Sequence, residues 1–238
     1  MSYAENSYRS PAENMAAWAA ADARSAFITK TYLHLLGAIG LFVALEAILL
    51  NLPGIEDIVR LMSGSRYGWL VVLGLFMLVS YVAERWASSA VSPMTQYVGL
   101  GLYVVAEAVI FVPLLWIARR VDPQIIVSAG GATAALTVLL TAIVFLTRKD
   151  FSFLRTVLWF AGFAALGLIV VSIVFNFALG PVFTYAMIAF ACGYILYDTS
   201  NVLHHYRIGQ HVAAALALFA SVALLFWYIL RLFLSRRD

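Results

Sequence analysis

Seven stretches of this chain, residues 27–50, 69–86, 96–118, 124–146, 153–177, 181–203 and 212–234, are almost wholly apolar. An α-helix needs about 20 such residues to cross the hydrocarbon core of a bilayer, and each stretch is long enough to do so. The runs are too long for strands and lack strict alternation, which argues against a β-barrel. Composition agrees, with 64% of the residues hydrophobic and only 11% charged, whereas soluble domains carry about a quarter charged residues. A water-soluble fold could not coat its surface with so few polar groups. The expected fold class is therefore an all-α integral membrane protein with seven transmembrane helices, its main partner the lipid bilayer.

Short breaks divide the spans. Asn51–Gly54 holds a proline and a glycine, residues 88–93 are small and polar, residues 119–123 and 148–150 are charged, and residues 204–210 end in a glycine turn. The break at Gly180-Pro181 carries no charge and fits either a tight turn or a kinked helix. Residues 1–26 read as a flexible polar tail, with a surface helix around residues 15–23, and residues 235–238 as a C-terminal tail. The first residues lack the charged n-region and short apolar core of a cleavable signal peptide. Together with the compact loops, that suits a bacterial inner membrane.

Arginine and lysine lie mainly between the runs and at the ends, and the net charge is only +3. They read as membrane-flanking anchors rather than nucleic-acid contacts, and no nucleic-acid partner is expected. Because they divide almost evenly between the two sides, the positive-inside rule gives no orientation. Trp69, Trp86, Trp116 and Trp227 fall near span ends, where indole rings favour the interface.

Ionisable groups inside apolar spans are costly, so each is a functional candidate. Asp198 lies well inside the sixth span. Asn201 and His205 follow it at i+3 and i+7, on the same helical face. Such a face can hold a proton or the oxygen ligands of a cation. Glu107 lies mid-way along the third span and is expected to face the bundle interior. Glu46 sits nearer a span end, where it can snorkel toward water. Glu84 and Arg85 end the second span as an interfacial pair or anchor, and His34 reads as a packed, hydrogen-bonded side chain.

Several chemistries are absent from the sequence. There is no phosphate-binding Gly-x-x-x-x-Gly-Lys-Ser/Thr loop, no His-Glu-x-x-His and no Gly-x-Ser-Gly within a span. An intramembrane aspartyl protease needs two aspartates sharing a proton, yet Asp22, Asp57, Asp122, Asp150 and Asp238 all fall in tails or loops. The single Cys192 precludes an intramolecular disulfide and any cysteine-based metal cluster. Neither an enzymatic activity nor a cofactor is expected.

Five motifs in order carry a family resemblance. Lys30-Thr-Tyr-Leu opens the first span and Lys149-Asp-Phe-Ser-Phe-Leu154 precedes the fifth. Tyr194-Ile-Leu-Tyr-Asp198 lies in the sixth, and the seventh carries Ala215-Leu-Ala-Leu-Phe219 and Leu225-Phe-Trp-Tyr-Ile-Leu-Arg231. Over residues 27–234 the chain resembles the Bax inhibitor-1 family. The resemblance implies a seventh helix packed centrally among the other six, a cytoplasmic N-terminus and a pH-responsive calcium leak. It also implies two aspartates sharing a proton, with a basic residue of the second span latched onto them. Asp198 matches the first aspartate and Arg85 the basic residue.

The second aspartate falls on Ser221. Counted along the helices at 1.5 Å per residue, Asp198 and Ser221 both lie roughly 12–15 Å from the turn between the last two spans, hence at similar depth. Two close carboxylates share a proton because they cannot both ionise cheaply. A single ionised Asp198 facing Arg85 is already neutral, so pH gating is expected to be weakened or shifted. Calcium takes 6–8 oxygen ligands. Asp198, as the metal candidate, with Ser221, Asn201 and backbone carbonyls makes a weak calcium site, to which Glu107 or Glu84 could add charge. Weak binding suits a leak, since tight binding stops conduction. The rival reading is a non-conducting regulator that binds other membrane proteins, such as proteases or stress factors.

Overall fold

The computed structural model describes residues 15, 17, 19–89 and 92–236, with the backbone alone for Arg66. Most of the expected N-terminal tail, residues 90 and 91 of one break, and residues 237 and 238 lie outside the described residues. The described residues form eight helices: α1 (Ala21–Leu49), α2 (Ile55–Ser63), α3 (Arg66–Ala87), α4 (Pro93–Val121), α5 (Pro123–Thr147), α6 (Leu154–Phe175), α7 (Gly180–His204) and α8 (His211–Leu234). All except α2 are long and apolar enough to span a membrane. The protein is an all-α integral membrane protein.

Helix ends follow local chemistry. α4 and α5 both start with proline at the first helical position, where a missing N–H costs nothing. The Asp122 carboxylate caps α5 by accepting from the Gln124 N–H at 2.8 Å. α1 starts at Ala21, six residues before the apolar run, because the preceding alanine-rich segment favours helix. Of the surface helix expected over residues 15–23, residues 16 and 18 lie outside the described residues; Met15 makes an isolated antiparallel bridge to Arg207, and residues 21–23 belong to α1. At Gly180-Pro181 the chain turns rather than kinks. Asn176 ends α6 with φ 55°, Gly180 opens α7 with φ 68°, and the Phe177 N–H bonds back to the Ser172 carbonyl at 3.0 Å.

α2 is the element that a search for spans overlooks. It has only nine residues, and its Glu56, Asp57 and Arg60 interrupt the apolar pattern. Ile55 and Val59 pack on Val112 of α4, while Ile58 and Leu61 stay exposed. Arg120, at the end of α4, pairs with Glu56 and lies 4.0 Å over the Trp116 ring. Arg119 reaches the Leu50 carbonyl and the Asn51 side chain, each at 3.1 Å. A short amphipathic helix held in this way fits the bilayer surface rather than its interior.

Two helices form the inside of the bundle. Burial takes in 67% of the apolar window of α8 and 61% of that of α4, against 6–22% for the other spans. α8 packs against α1, α3, α4, α5 and α7 and so occupies the centre, with α4 as a second inner helix. α6 sits outermost, packed on α7 and α3. Rings fill the core between α1, α4 and α8: Phe111 meets Phe42, Phe226 and Trp227 at centroid distances of 5.1, 5.6 and 5.0 Å. Trp227 therefore packs against the core and stacks on Trp69.

Candidate functional site

α3 and α4 meet unusually closely, and that contact sets the site. A Cβ on Gly99 of α4 would lie 2.5 Å from the Ala87 nitrogen and 2.6 Å from the Ala83 carbonyl oxygen. Only glycine permits this approach. It presses α4 against the last turn of α3, the turn that carries Glu84 and Arg85.

Across from that turn, α7 presents Asp198 and α8 presents Ser221, 7% and 4% exposed. The two are in direct contact, with the Ser221 hydroxyl donating to Asp198 Oδ2. The same hydroxyl also lies 3.1 Å from the Ala217 carbonyl of its own helix. One hydroxyl proton serves one acceptor at a time. When Asp198 is ionised, Ser221 donates to it. When Asp198 is protonated, its own O–H can donate to Ser221, which turns its proton to Ala217. The pair can therefore accommodate either protonation state without moving a heavy atom.

Asp198 and Ser221 border a cavity of about 260 Å³. Its other polar walls are Glu84, Ser88, Tyr194 and Tyr206, and the small side chains Ala213, Ala217 and Ala220 of α8 leave the room. Arg85 is not among its walls. It is exposed on the neighbouring face of α3 and makes no ion pair among the described residues. One residue is 100° of helix rotation, so with Glu84 turned toward the cavity, Arg85 is turned away. The latch between Arg85 and Asp198 expected from the sequence is thus replaced by an acid facing an acid.

Asn201 and His205 do not join Asp198 either. They line a second cavity of about 420 Å³, together with Ser152, Arg155, Tyr197, Tyr206 and Gln210. His205 caps α7, its N–H still bonded to the Asn201 carbonyl at 2.8 Å, but seven residues put it about 10 Å further along the helix axis than Asp198. Its Nε2 lies 3.1 Å from Asp150 Oδ2 in the α5–α6 connection. That connection is further tied down by the Phe151 N–H, which donates to Ser200 Oγ at 2.9 Å. Tyr206 borders both cavities, a role that nothing in its sequence position announces.

Glu107 faces the interior but lies outside both cavities, with Tyr103 as its hydrogen-bonding neighbour one turn earlier. Glu46 is 5% exposed, and neither of its carboxylate oxygens has a hydrogen-bond partner among the described residues. It turns inward between α1 and the core instead of snorkelling. His34 bonds the Lys30 carbonyl at 2.6 Å and the Tyr97 hydroxyl at 3.2 Å, and packs on His211.

Outside the spans, the surroundings shift the titration of Asp150. Slight burial opposes ionisation, but hydrogen bonds from Ser152 and His205 prevail and hold the carboxyl below its ordinary range. A lowered folded-state value stabilises the fold above the ordinary carboxylate range, and this stabilisation is lost as pH falls through the lowered value. Asp150→Asn is expected to cost no more than about 1 kcal/mol at neutral pH, as for other exposed pairs. The cost should disappear in strong acid, which thermal unfolding across pH in detergent measures.

The sequence profile described as "Inhibitor of apoptosis-promoting Bax1" matches residues 24–238. The protein named Bax inhibitor 1 of Schizosaccharomyces pombe is 34% identical over 120 residues, 46% of this chain and 42% of that protein. The BI1-like protein of Arabidopsis thaliana is also 34% identical over 120 residues, 47% of this chain and 45% of its own length. Protein LIFEGUARD 4 of Arabidopsis thaliana is 30% identical over 142 residues, 58% of this chain and 56% of that protein. The chain spans about half the length of these relatives. With the profile covering nearly the whole seven-span bundle, this chain belongs to the Bax inhibitor-1 family.

Proposed function

We propose that the protein is a passive cation leak, with calcium as the cation expected from family membership, and that Asp198 is the acid the cation meets. One observation carries this reading: a membrane-buried carboxylate has one oxygen held by Ser221 and lines a cavity between helices. Charge placed there against an apolar bundle is a cost that a structural role does not require. The cavity's other oxygens come mostly from hydroxyls, so calcium meets fewer strong ligands than the 6–8 it prefers. Weak coordination lets an ion leave again, as conduction demands.

With serine in place of a second aspartate, the pH response is shifted from that of an aspartate pair. In this reading the N-terminus is cytoplasmic, the membrane is a bacterial inner membrane, and no enzymatic step is involved. The test is calcium flux into liposomes holding purified protein, from mildly acidic to mildly basic pH. Wild type is expected to exceed empty vesicles, and Asp198→Asn to fall to their level. A folded wild type that passes no calcium would instead favour a regulator that binds other membrane proteins.

A further inference from the structure

We infer that Glu84 of α3 is the second carboxylate of the Asp198 cavity, and that the two acids together hold a hydrated metal cation of the calcium type. The inference rests on the cation-leak reading for its physiological role, but the binding site stands or falls separately.

The two acids reach the cavity from different helices. Asp198 comes from the middle of the bundle, on α7. Glu84 comes from the last turn of α3, where the contact at Gly99 fixes the helix end. They are near enough for Glu84 to act electrostatically on Asp198 and on both cavity tyrosines, Tyr194 and Tyr206. Among the described residues no arginine or lysine lines the cavity, so an ionised acid has no protein counter-charge there. Among the described residues, Asp198 Oδ1 has no hydrogen-bond partner, while Oδ2 is held by Ser221. Asp198 is 7% exposed, so bulk water does little to solvate that charge. A buried, half-satisfied carboxylate sharing a cavity with a second acid is balanced by a proton or by a bound cation, and the cation is the one that also bonds the remaining oxygens.

The chemistry of the walls selects the ligand. All the polar walls offer oxygen: two carboxylates, and the hydroxyls of Ser88, Ser221, Tyr194 and Tyr206. Neither sulfur nor imidazole is present, which favours a hard cation over a transition metal. A volume of about 260 Å³ accommodates a cation with several of its waters, each water taking about 30 Å³ in the liquid. Glu84 is the outer ligand, since it is exposed, and Asp198 the inner one. A cation arriving at the end of α3 meets Glu84 first and passes to Asp198 without crossing a region of positive charge.

Terbium is the probe, because it replaces calcium at oxygen sites and its luminescence is sensitised by nearby tyrosine. Full-length protein in detergent is titrated with terbium, and calcium flux is measured on the same variants in liposomes. Removal of either acid is expected to weaken terbium binding by about tenfold or more, since half of the site's charge is lost. Glu84→Gln and Asp198→Asn should each do so, and Glu84→Asp should recover part of the loss. Glu56→Gln, at the surface pair with Arg120, should bind as wild type. Because Glu84 is exposed, its variants are expected to fold, and size-exclusion chromatography verifies this. Wild-type terbium affinity in a folded Glu84→Gln protein overturns the inference, even if Asp198→Asn still abolishes flux and the leak reading survives. Weakened binding in Glu84→Gln supports the site even where wild type passes no calcium, and in that case the leak reading fails alone.

Discussion

Phe111→Ala is expected to destabilise the bundle by about 3 kcal/mol, at the lower end of the range for removal of a buried phenylalanine. The ring is 2% exposed and joins the three inner surfaces of the protein: Phe42 of α1, its own helix α4, and Phe226 and Trp227 of α8. Lipid is as apolar as the core, so transfer out of water contributes little to this loss. Most of it is lost packing. A second consequence follows under the cation-leak reading. Tyr103 and Phe42 both contact Phe219, at 6.1 and 6.0 Å, so the rings close the interior beside the helices that carry Asp198 and Glu107. Deleting the keystone ring should raise basal calcium flux while Phe111→Leu, which refills most of the volume, stays near wild type. Denaturation in mixed micelles gives the first quantity and liposome flux the second. Unchanged flux in a folded, destabilised Phe111→Ala protein would separate the ring cluster from any part in closing the path.

Long apolar runs were the legible part of this fold, because the bilayer requires each crossing to satisfy its own backbone within about 20 residues. α3 to α8 each cover their expected span to within a few residues. Illegible were the features that depend on what packs where. α2 escapes a hydropathy search because its apolar residues occupy one face of only two turns. α4 and α5 are similarly apolar in sequence, and α5 is the richer in small residues, yet α4 lies inside and α5 does not. Trp227 lies near a span end as an interface anchor does, but α8 is central, and the indole packs on Phe111 and Trp69.

The site shows the same division. Counting residues from the α7–α8 turn placed Asp198 and Ser221 at one depth, because two straight helices joined by a short turn rise together. Which of two adjacent residues, Glu84 or Arg85, turns inward was beyond that arithmetic. The choice depends on the rotation of α3 about its axis, fixed by the contact of Ala83 and Ala87 with Gly99. A misassignment by one residue reverses the sign of the charge facing Asp198. Helical spacing likewise grouped Asn201 and His205 with Asp198, but a shared face does not mean a shared depth, and both residues line the other cavity.

That reversal sharpens what Ser221→Asp should do. Ser221 and Asp198 already touch, so the substitution places two carboxylates in contact within a cavity that Glu84 also lines. At about 4 Å, like charges repel by about 4 kcal/mol at an effective dielectric constant of 20, several times the thermal energy. Both cannot be ionised at modest cost, and the pair must hold a proton or a cation. Arg85 points elsewhere and cannot relieve it. The variant is therefore expected to take up a proton on folding that wild type does not, and its calcium flux should switch steeply with pH where wild type changes gradually. Adding Asp198→Asn to Ser221→Asp restores a single acid and should remove the switch. Adding Glu84→Gln should leave a switch but move it toward lower pH, because one neighbouring negative charge has gone. A Ser221→Asp protein that folds and conducts with the wild-type pH profile would mean that the two side chains do not share the permeant site, whatever their contact.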